Sequence, residues 1–357
     1  MLTIKSLAHD YTVEEFSSLR AALASINRSD QACYLVDRRL AELHAVDRGQ
    51  IIPTERVVYV DATEPNKSFE KLTPVFLQLL QSGLKRDGVI VVLGGGVLQD
   101  IGCFIASVLF RGVRWELIPT TLLAQADSCI GSKSSINIGS YKNQIGTFYP
   151  PNRVLLPAGV LATLPWDEIR SGLGEVIKLQ LLAGEDGFRE LMRDLQNFRG
   201  EAPVLSKWVT RSMAVKKPFI ETDEFDRGIR NLLNYGHTFG HAYESATHYE
   251  IPHGIAVILG ILTATFISTR LGLAPAAHYA ELKTLLASWH QPYGQQLQKI
   301  SRDDIFRAIK QDKKNTGQTV NCILTQGFGR MEKRPLSLEK DIVPALNIFI
   351  ENEIALA

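Results

Sequence analysis

The chain has 357 residues, 45% of them hydrophobic, and carries 39 Lys plus Arg against 38 Asp plus Glu, a formal net charge of +1. That length accommodates two domains, each with its own core. The balanced charge, with no basic run and no acidic tail, argues against nucleic acid as a partner and against a disordered arm.

The first half alternates short apolar runs with helical patterns. Residues 32–36 (ACYLV), 57–60 (VVYV), 89–93 (VIVVL), 115–118 (WELI) and 154–156 (VLL) read as strands. The continuous run at 89–93 has the form of a parallel strand buried on both faces. Helical spacing fills 68–81 and 97–110 between them, so the expected fold is a parallel α/β sheet. After Leu164-Pro165 the pattern turns helical: 167–182, 187–197, 202–215, 237–247, 254–271, 277–288 and 302–311, with one strand near 319–325. A boundary is expected near residue 165, giving an α/β domain over 1–165 and an all-α domain over 166–357. The most apolar run, 254–268, is shorter than the roughly 20 residues of a bilayer span, so it reads as a core helix. The N-terminus is too polar for a signal peptide. Cys33, Cys103, Cys129 and Cys322 are scattered without a CxxC pair, as buried thiols in a reducing compartment would be. A cytoplasmic protein without membrane contact is the expectation.

Several groups of residues carry chemistry. Gly94-Gly95-Gly96 follows the buried strand and opens a helix. It reads either as a tight turn or as a site where main-chain N–H groups meet a pyrophosphate. Asp100 lies in the first turn of that helix. Asp37 ends the first clear strand, where a carboxylate holds ribose hydroxyls or is an ordinary loop residue. The stretch Pro119–Asn143 is dense in small polar residues and holds Thr120, Thr121, Asp127, Lys133, Asn137, Lys142 and Asn143. Two lysines among Gly and Ser there suggest a phosphate cradle. Lys178, Lys216, Arg230, Asn234 and the run Asp312-Lys313-Lys314 add cations and an amide, which together favour an anionic substrate.

Glu175, His237, His241 and His253 supply one carboxylate and three imidazoles. His237 and His241 are four residues apart, so a helix puts both on one face. A Glu with two His is a recurrent ligand set for catalytic Zn²⁺, and a third His is then available for proton transfer. In zinc peptidases of the HExxH type a Glu follows the first His. Thr238 stands there, which argues against peptide hydrolysis.

The segments GGGVLQD, RGVRWELIPTTLLAQADSCIGSK, KNQIGTFYPP, TLP, GLGEVIK, RNLLNYGHTFGHA and PHG occur in the order seen in 3-dehydroquinate synthases. Over roughly 36–329 the chain resembles that family of sugar-phosphate cyclases. The resemblance implies an N-terminal NAD-binding domain and a helical metal-binding domain. It implies a divalent metal, Zn²⁺ or Co²⁺, on Glu175, His237 and His253, with His241 as the acid/base group. Lys133, Lys178, Lys216, Arg230, Asn234 and Asn143 match residues around the substrate's carboxylate, hydroxyls and phosphate. Arg111 matches an arginine that reaches the neighbouring subunit's site, which implies a homodimer. Asp37, Glu64, Lys67, Gly95, Gly96, Asp100, Thr120, Thr121, Asp127, Lys142 and Thr163 match NAD contacts. The implied chemistry is transient oxidation, phosphate elimination, reduction and intramolecular aldol closure on 3-deoxy-D-arabino-heptulosonate 7-phosphate.

Some positions depart from the usual family pattern. Gly131-Ser132-Lys133-Ser134 stands for GGKT, residues 138–141 for HPLG, Gln99 for Gly, and HGIAV at 253–257 for HGEAV. A cyclase acting on sedoheptulose 7-phosphate is therefore the alternative. A metal-dependent polyol dehydrogenase, with net NADH formation, is a third reading. The retained cations favour the 2-keto acid substrate, because sedoheptulose 7-phosphate has no carboxylate for Lys216 to meet.

Overall fold

Apolar runs in the first half become the strands of one sheet because each is covered on both faces. The computed structural model describes residues 1–26, 31–44, 52–139, 141–311 and 319–354. The chain divides into two units, residues 1–165 with 200–225, and residues 166–199 with 226–357. A single cut at 165 therefore misassigns one helical segment.

In unit 1 the elements begin with β1 (Leu2–Ile4), β2 (Tyr11–Phe16), α1 (Leu19–Ala24), β3 (Ala32–Asp37), α2 (Arg38–His44) and β4 (Val57–Val60). They continue with α3 (Phe69–Gln81), β5 (Val89–Gly94), α4 (Gly96–Val108), β6 (Arg114–Pro119), β7 (Ile136–Ile138), β8 (Tyr141–Ile145) and β9 (Arg153–Pro157). Seven strands form a sheet in the order β1-β2-β9-β6-β5-β3-β4. Within that sheet only the β1–β2 pair is antiparallel. Val91 and Leu93 of β5 are fully buried and pack with Tyr34, Val36 and Ile118. Each such side chain contributes about 1.5–3 kcal/mol on leaving water.

Strand register decides which residues leave the sheet together. Val36 pairs with Leu93, Leu93 with Ile118, and Gly94 with Pro119. Asp37, the glycine turn and Thr120-Thr121 therefore emerge side by side at the carboxyl edge of the sheet. The strand order reverses between β3 and β5, and ligands of open α/β sheets bind outside the carboxyl ends at such a switch point.

The polar stretch at 119–143 is not one loop. It contains a five-residue helical turn, Ala124–Ser128, and the antiparallel pair β7–β8. The segment at 202–215 extends to Thr222, with Pro218 inside it.

Unit 2 is helical: α5 (Trp166–Ala183) and α6 (Glu185–Leu195), then, after α7 (Ala202–Thr222) of unit 1, α8 (His237–Ala246), α9 (His253–Arg270), α10 (Ala276–His290), α11 (Gly294–Gln298), α12 (Arg302–Gln311) and α13 (Val343–Phe349). One hairpin, β10 (Thr319–Thr325) with β11 (Met331–Ser337), completes it. Helix α9 is apolar on all sides and is the buried centre of the unit. It is long and apolar enough to cross a membrane by length and composition, yet 78% of that window is buried inside the protein.

Candidate active site

Helices α5, α8 and α9 bring Glu175, His237 and His253 together. The α5 and α9 backbones touch, because residues without Cβ face each other. A Cβ on Gly254 would lie 2.7 Å from the Ser171 carbonyl carbon and closer still to its oxygen. A Cβ on Gly174 would strike the Gly254 backbone. Glu175 and His253 are the adjoining residues on each helix, so this contact sets their separation.

Glu175 Oε1 lies 3.0 Å from His253 Nε2 and 3.4 Å from His237 Nε2. The three donor atoms lie within 4.8 Å of one another. Each imidazole is held through its other nitrogen. His253 Nδ1 is 3.1 Å from Glu244 Oε1, and His237 Nδ1 is 3.4 Å from the Tyr235 carbonyl oxygen. Two imidazole nitrogens and one carboxylate oxygen converging in this way suit Zn²⁺ or Co²⁺, which would displace the His253 proton, and leave coordination positions for other ligands. The residues fit the metal that the resemblance implies.

Charge in this cluster is organised by burial and pairing. Burial alone would raise the Glu175 carboxyl, but the Lys178 ammonium, ion-paired with it one helical turn away, and then His237 hold it well below the usual carboxylate range. Burial lowers His237. His253 is opposed by burial, yet the Glu244 charge and hydrogen bonds to Glu175 and Glu244 push it up to about 10. His241 is exposed, and its ring meets that of His237 edge-on at 5.3 Å. Arg230 and Asn234 lie on the turn Ile229–Asn234, with Arg230 buried.

In unit 1 a second cluster gathers at the sheet's carboxyl edge. Lys67 Nζ donates to Asp100 Oδ2 at 3.0 Å and to Asn143 Oδ1 at 2.9 Å, with Glu64 Oε2 at 3.6 Å. Lys142 Nζ lies 3.9 Å from Glu64. Ser135 donates to Asp100 through both its amide and its hydroxyl. Thr120 N donates to the Gly94 carbonyl, and a Cβ on Gly95 would sit 2.7 Å from Thr121 Cγ2. No side chain caps α4 at Gly95, and an uncapped helix N-terminus is suited to anions. This cradle and the half-buried Asp37 at the end of β3 fit NAD. Thr163 lies 3.1 Å from His44. Lys216 of α7 donates to Asp127 through both the carbonyl oxygen and Oδ1, each at 2.6 Å. Lys133 and Arg111 are exposed, and Arg111 has φ +65°. Asp312, Lys313 and Lys314 lie outside the described residues.

The sequence reading grouped Lys178, Lys216 and Arg230 as cations favouring an anionic substrate, and all three are buried. It missed Glu244 and Ser135. The signal for Glu244 was present: it follows His237 by seven residues and His241 by three, on one face of α8.

A parallel sheet with a nucleotide-type carboxyl edge, joined in one chain to a helical unit with a Glu-His-His donor set, defines a nucleotide- and metal-dependent class of enzyme fold. Family models described as 3-dehydroquinate synthase N-terminal and 3-dehydroquinate synthase C-terminal match residues 57–171 and 172–315. A 3-dehydroquinate synthase of Dictyoglomus thermophilum is 38% identical over 298 residues, 83% of each chain. The protein belongs to the 3-dehydroquinate synthase family. Its fold is shared with a 2-deoxy-scyllo-inosose synthase complexed with carbaglucose-6-phosphate, NAD⁺ and Co²⁺, at TM-score 0.85, 23% identity and 98% coverage of both chains. It is also shared with a 2-epi-5-epi-valiolone synthase from Streptomyces hygroscopicus subsp. jinggangensis 5008 with NAD⁺ and Zn²⁺ bound, at TM-score 0.81, 24% identity and 99% coverage of both.

Proposed function

We propose that the protein is an NAD- and divalent-metal-dependent lyase that converts 3-deoxy-D-arabino-heptulosonate 7-phosphate to 3-dehydroquinate and phosphate. The observation that carries this reading is the convergence of Glu175 with His237 and His253, 3.4 and 3.0 Å away, in a chain of this family. When bound, the metal supplies Lewis acidity at a substrate hydroxyl and NAD supplies a hydride acceptor.

The chain's own residues then bind, orient and stabilise charge. Glu175, His237 and His253 are the metal ligands. Lys178 neutralises the buried Glu175. Arg230, Lys133, Lys216, Asn143 and Asn234 meet the substrate's anionic and hydroxyl groups, and His241, exposed beside the metal ligands, moves a proton. Asp37, Glu64, Lys67, Gly95, Gly96, Asp100, Thr120, Thr121, Asp127, Lys142 and Thr163 serve NAD. Arg111 acts in the neighbouring site of a cytoplasmic homodimer.

The alternative substrate, sedoheptulose 7-phosphate, rests on the departures from the family's sequence pattern, Ser132 beside Lys133 among them. The test runs both sugar phosphates with NAD⁺ and Zn²⁺ and monitors phosphate release and NADH absorbance. Phosphate from the first substrate alone, without net NADH, is expected. Phosphate only from the second, or steady NADH, overturns the reading. His237→Ala should lose metal and turnover together.

A further inference from the structure

Resting on the metal reading above, we propose that Glu244 is a positioning residue for the metal: its carboxylate fixes His253 so that Nε2 faces the ion. The two ligand histidines are supported differently. His237 has a neutral carbonyl at 3.4 Å from Nδ1, whereas His253 has a carboxylate oxygen at 3.1 Å. With its Nδ1 hydrogen held by Glu244, His253 would give its Nε2 proton up to the ion and present that lone pair on the side where Glu175 Oε1 and His237 lie. An anionic partner also makes the imidazole a stronger donor, and losing such a partner typically weakens metal binding 10–100-fold.

The placement is specific. Glu244 lies on α8 two turns from His237, so one helix supplies a ligand and the support for a ligand on another helix. Its side chain is only 13% exposed. One Glu244 oxygen also lies within 4.8 Å of donor nitrogens of both His241 and His253. The same carboxylate thus stands close to the third histidine as well as to His253.

The test is the affinity of the full chain for Zn²⁺ alone, by competition with a chromophoric chelator, in Glu244→Gln and Glu244→Ala. Glu244→Gln keeps the shape and an acceptor oxygen but removes the charge, so it remains informative if Glu244→Ala fails to fold. The expected result is a 10–100-fold loss for Ala and a smaller loss for Gln, with the metal-free Gln chain still unfolding in one cooperative transition. Co²⁺ absorption should shift in Gln, reporting an altered ligand field. Affinity equal to the parent in both variants overturns the proposal, as does a Gln chain that no longer unfolds cooperatively without metal, which marks a structural role. A parent chain that binds no Zn²⁺, or His237→Ala that binds it normally, overturns the metal reading itself and the Glu244 proposal with it.

Discussion

Replacing Gly254 with alanine should open the metal site without touching a ligand. The new methyl would lie 2.7 Å from the Ser171 carbonyl carbon and 2.9 Å from its Cα. Carbon atoms rest about 3.5–4.0 Å apart, so α5 and α9 must separate by about 1 Å. Both neighbours are backbone and cannot swing away. Glu175 and His253 stand on those two helices, and their 3.0 Å contact would widen to about 4 Å. Metal–ligand distances tolerate about 0.2 Å, so the opening is several times too large. Zn²⁺ affinity should fall at least about tenfold, in the range seen when a ligand loses its support. Overpacking of this kind costs about 1–3 kcal/mol, or roughly 2–4 °C of melting temperature per kcal/mol for a unit of this size. Chelator competition reads the first effect and thermal unfolding without metal reads the second. A variant that melts within about 1 °C of the parent and holds Zn²⁺ equally well would refute the argument that backbone contact sets the site.

Three further outcomes are expected. Burial pushes the thiols of Cys103 and Cys129 up to about 12, so the folded state keeps protons that the unfolded state releases near pH 8.5. Stability from that source is complete below about pH 8.5 and is lost as pH rises towards 12, at about 1.4 kcal/mol per pH unit for each thiol. Denaturant titrations at about pH 8 and pH 10 should show that Cys129→Ala removes about 2 kcal/mol of the parent's decline, and an unchanged decline refutes this. Asp37→Ala should weaken NAD binding about 10- to 150-fold, the value of a hydrogen bond to a charged acceptor, while Zn²⁺ affinity stays constant. An unchanged NAD affinity in fluorescence titration would remove Asp37 from the cofactor site. Ser132→Gly should destabilise slightly despite relieving a left-handed residue. Ser132 Oγ donates to Glu224 Oε1 at 3.0 Å, and such a bond, about 1.5–3 kcal/mol, outweighs a backbone cost of about 1–2 kcal/mol. A higher melting temperature would show that the strain dominates.

What the sequence revealed depended on whether the relevant interaction was local. The buried run at 89–93 and the glycines after it identify the sheet's carboxyl edge, because strand burial and turn chemistry are written in consecutive residues. The hairpin β7–β8 left no such trace: four of the five residues of β8 are exposed, so no alternation marks it. The helix at 202–222 is amphipathic whichever unit it packs on. Its place in unit 1 follows from the Lys216–Asp127 contact, which joins residues 89 positions apart. Glu244 was half legible: its spacing puts it on the face of α8 that carries His237 and His241, but its partner lies beyond a turn whose course no periodicity predicts. His248 and Tyr249 in that turn both have positive φ, at 51° and 64°. The clustering of Glu175 with the three histidines was legible for a reason that becomes physical only with the structure. Glu175 follows Gly174, His237 follows Gly236, His241 follows Gly240, and His253 precedes Gly254. A buried metal needs donors about 2 Å from one point, which long side chains on widely spaced helices reach only with lost rotamer freedom. Glycine beside each donor instead lets the backbones approach, so short, stiff side chains arrive already placed. The glycines therefore belong to the cluster as fully as the donor groups themselves.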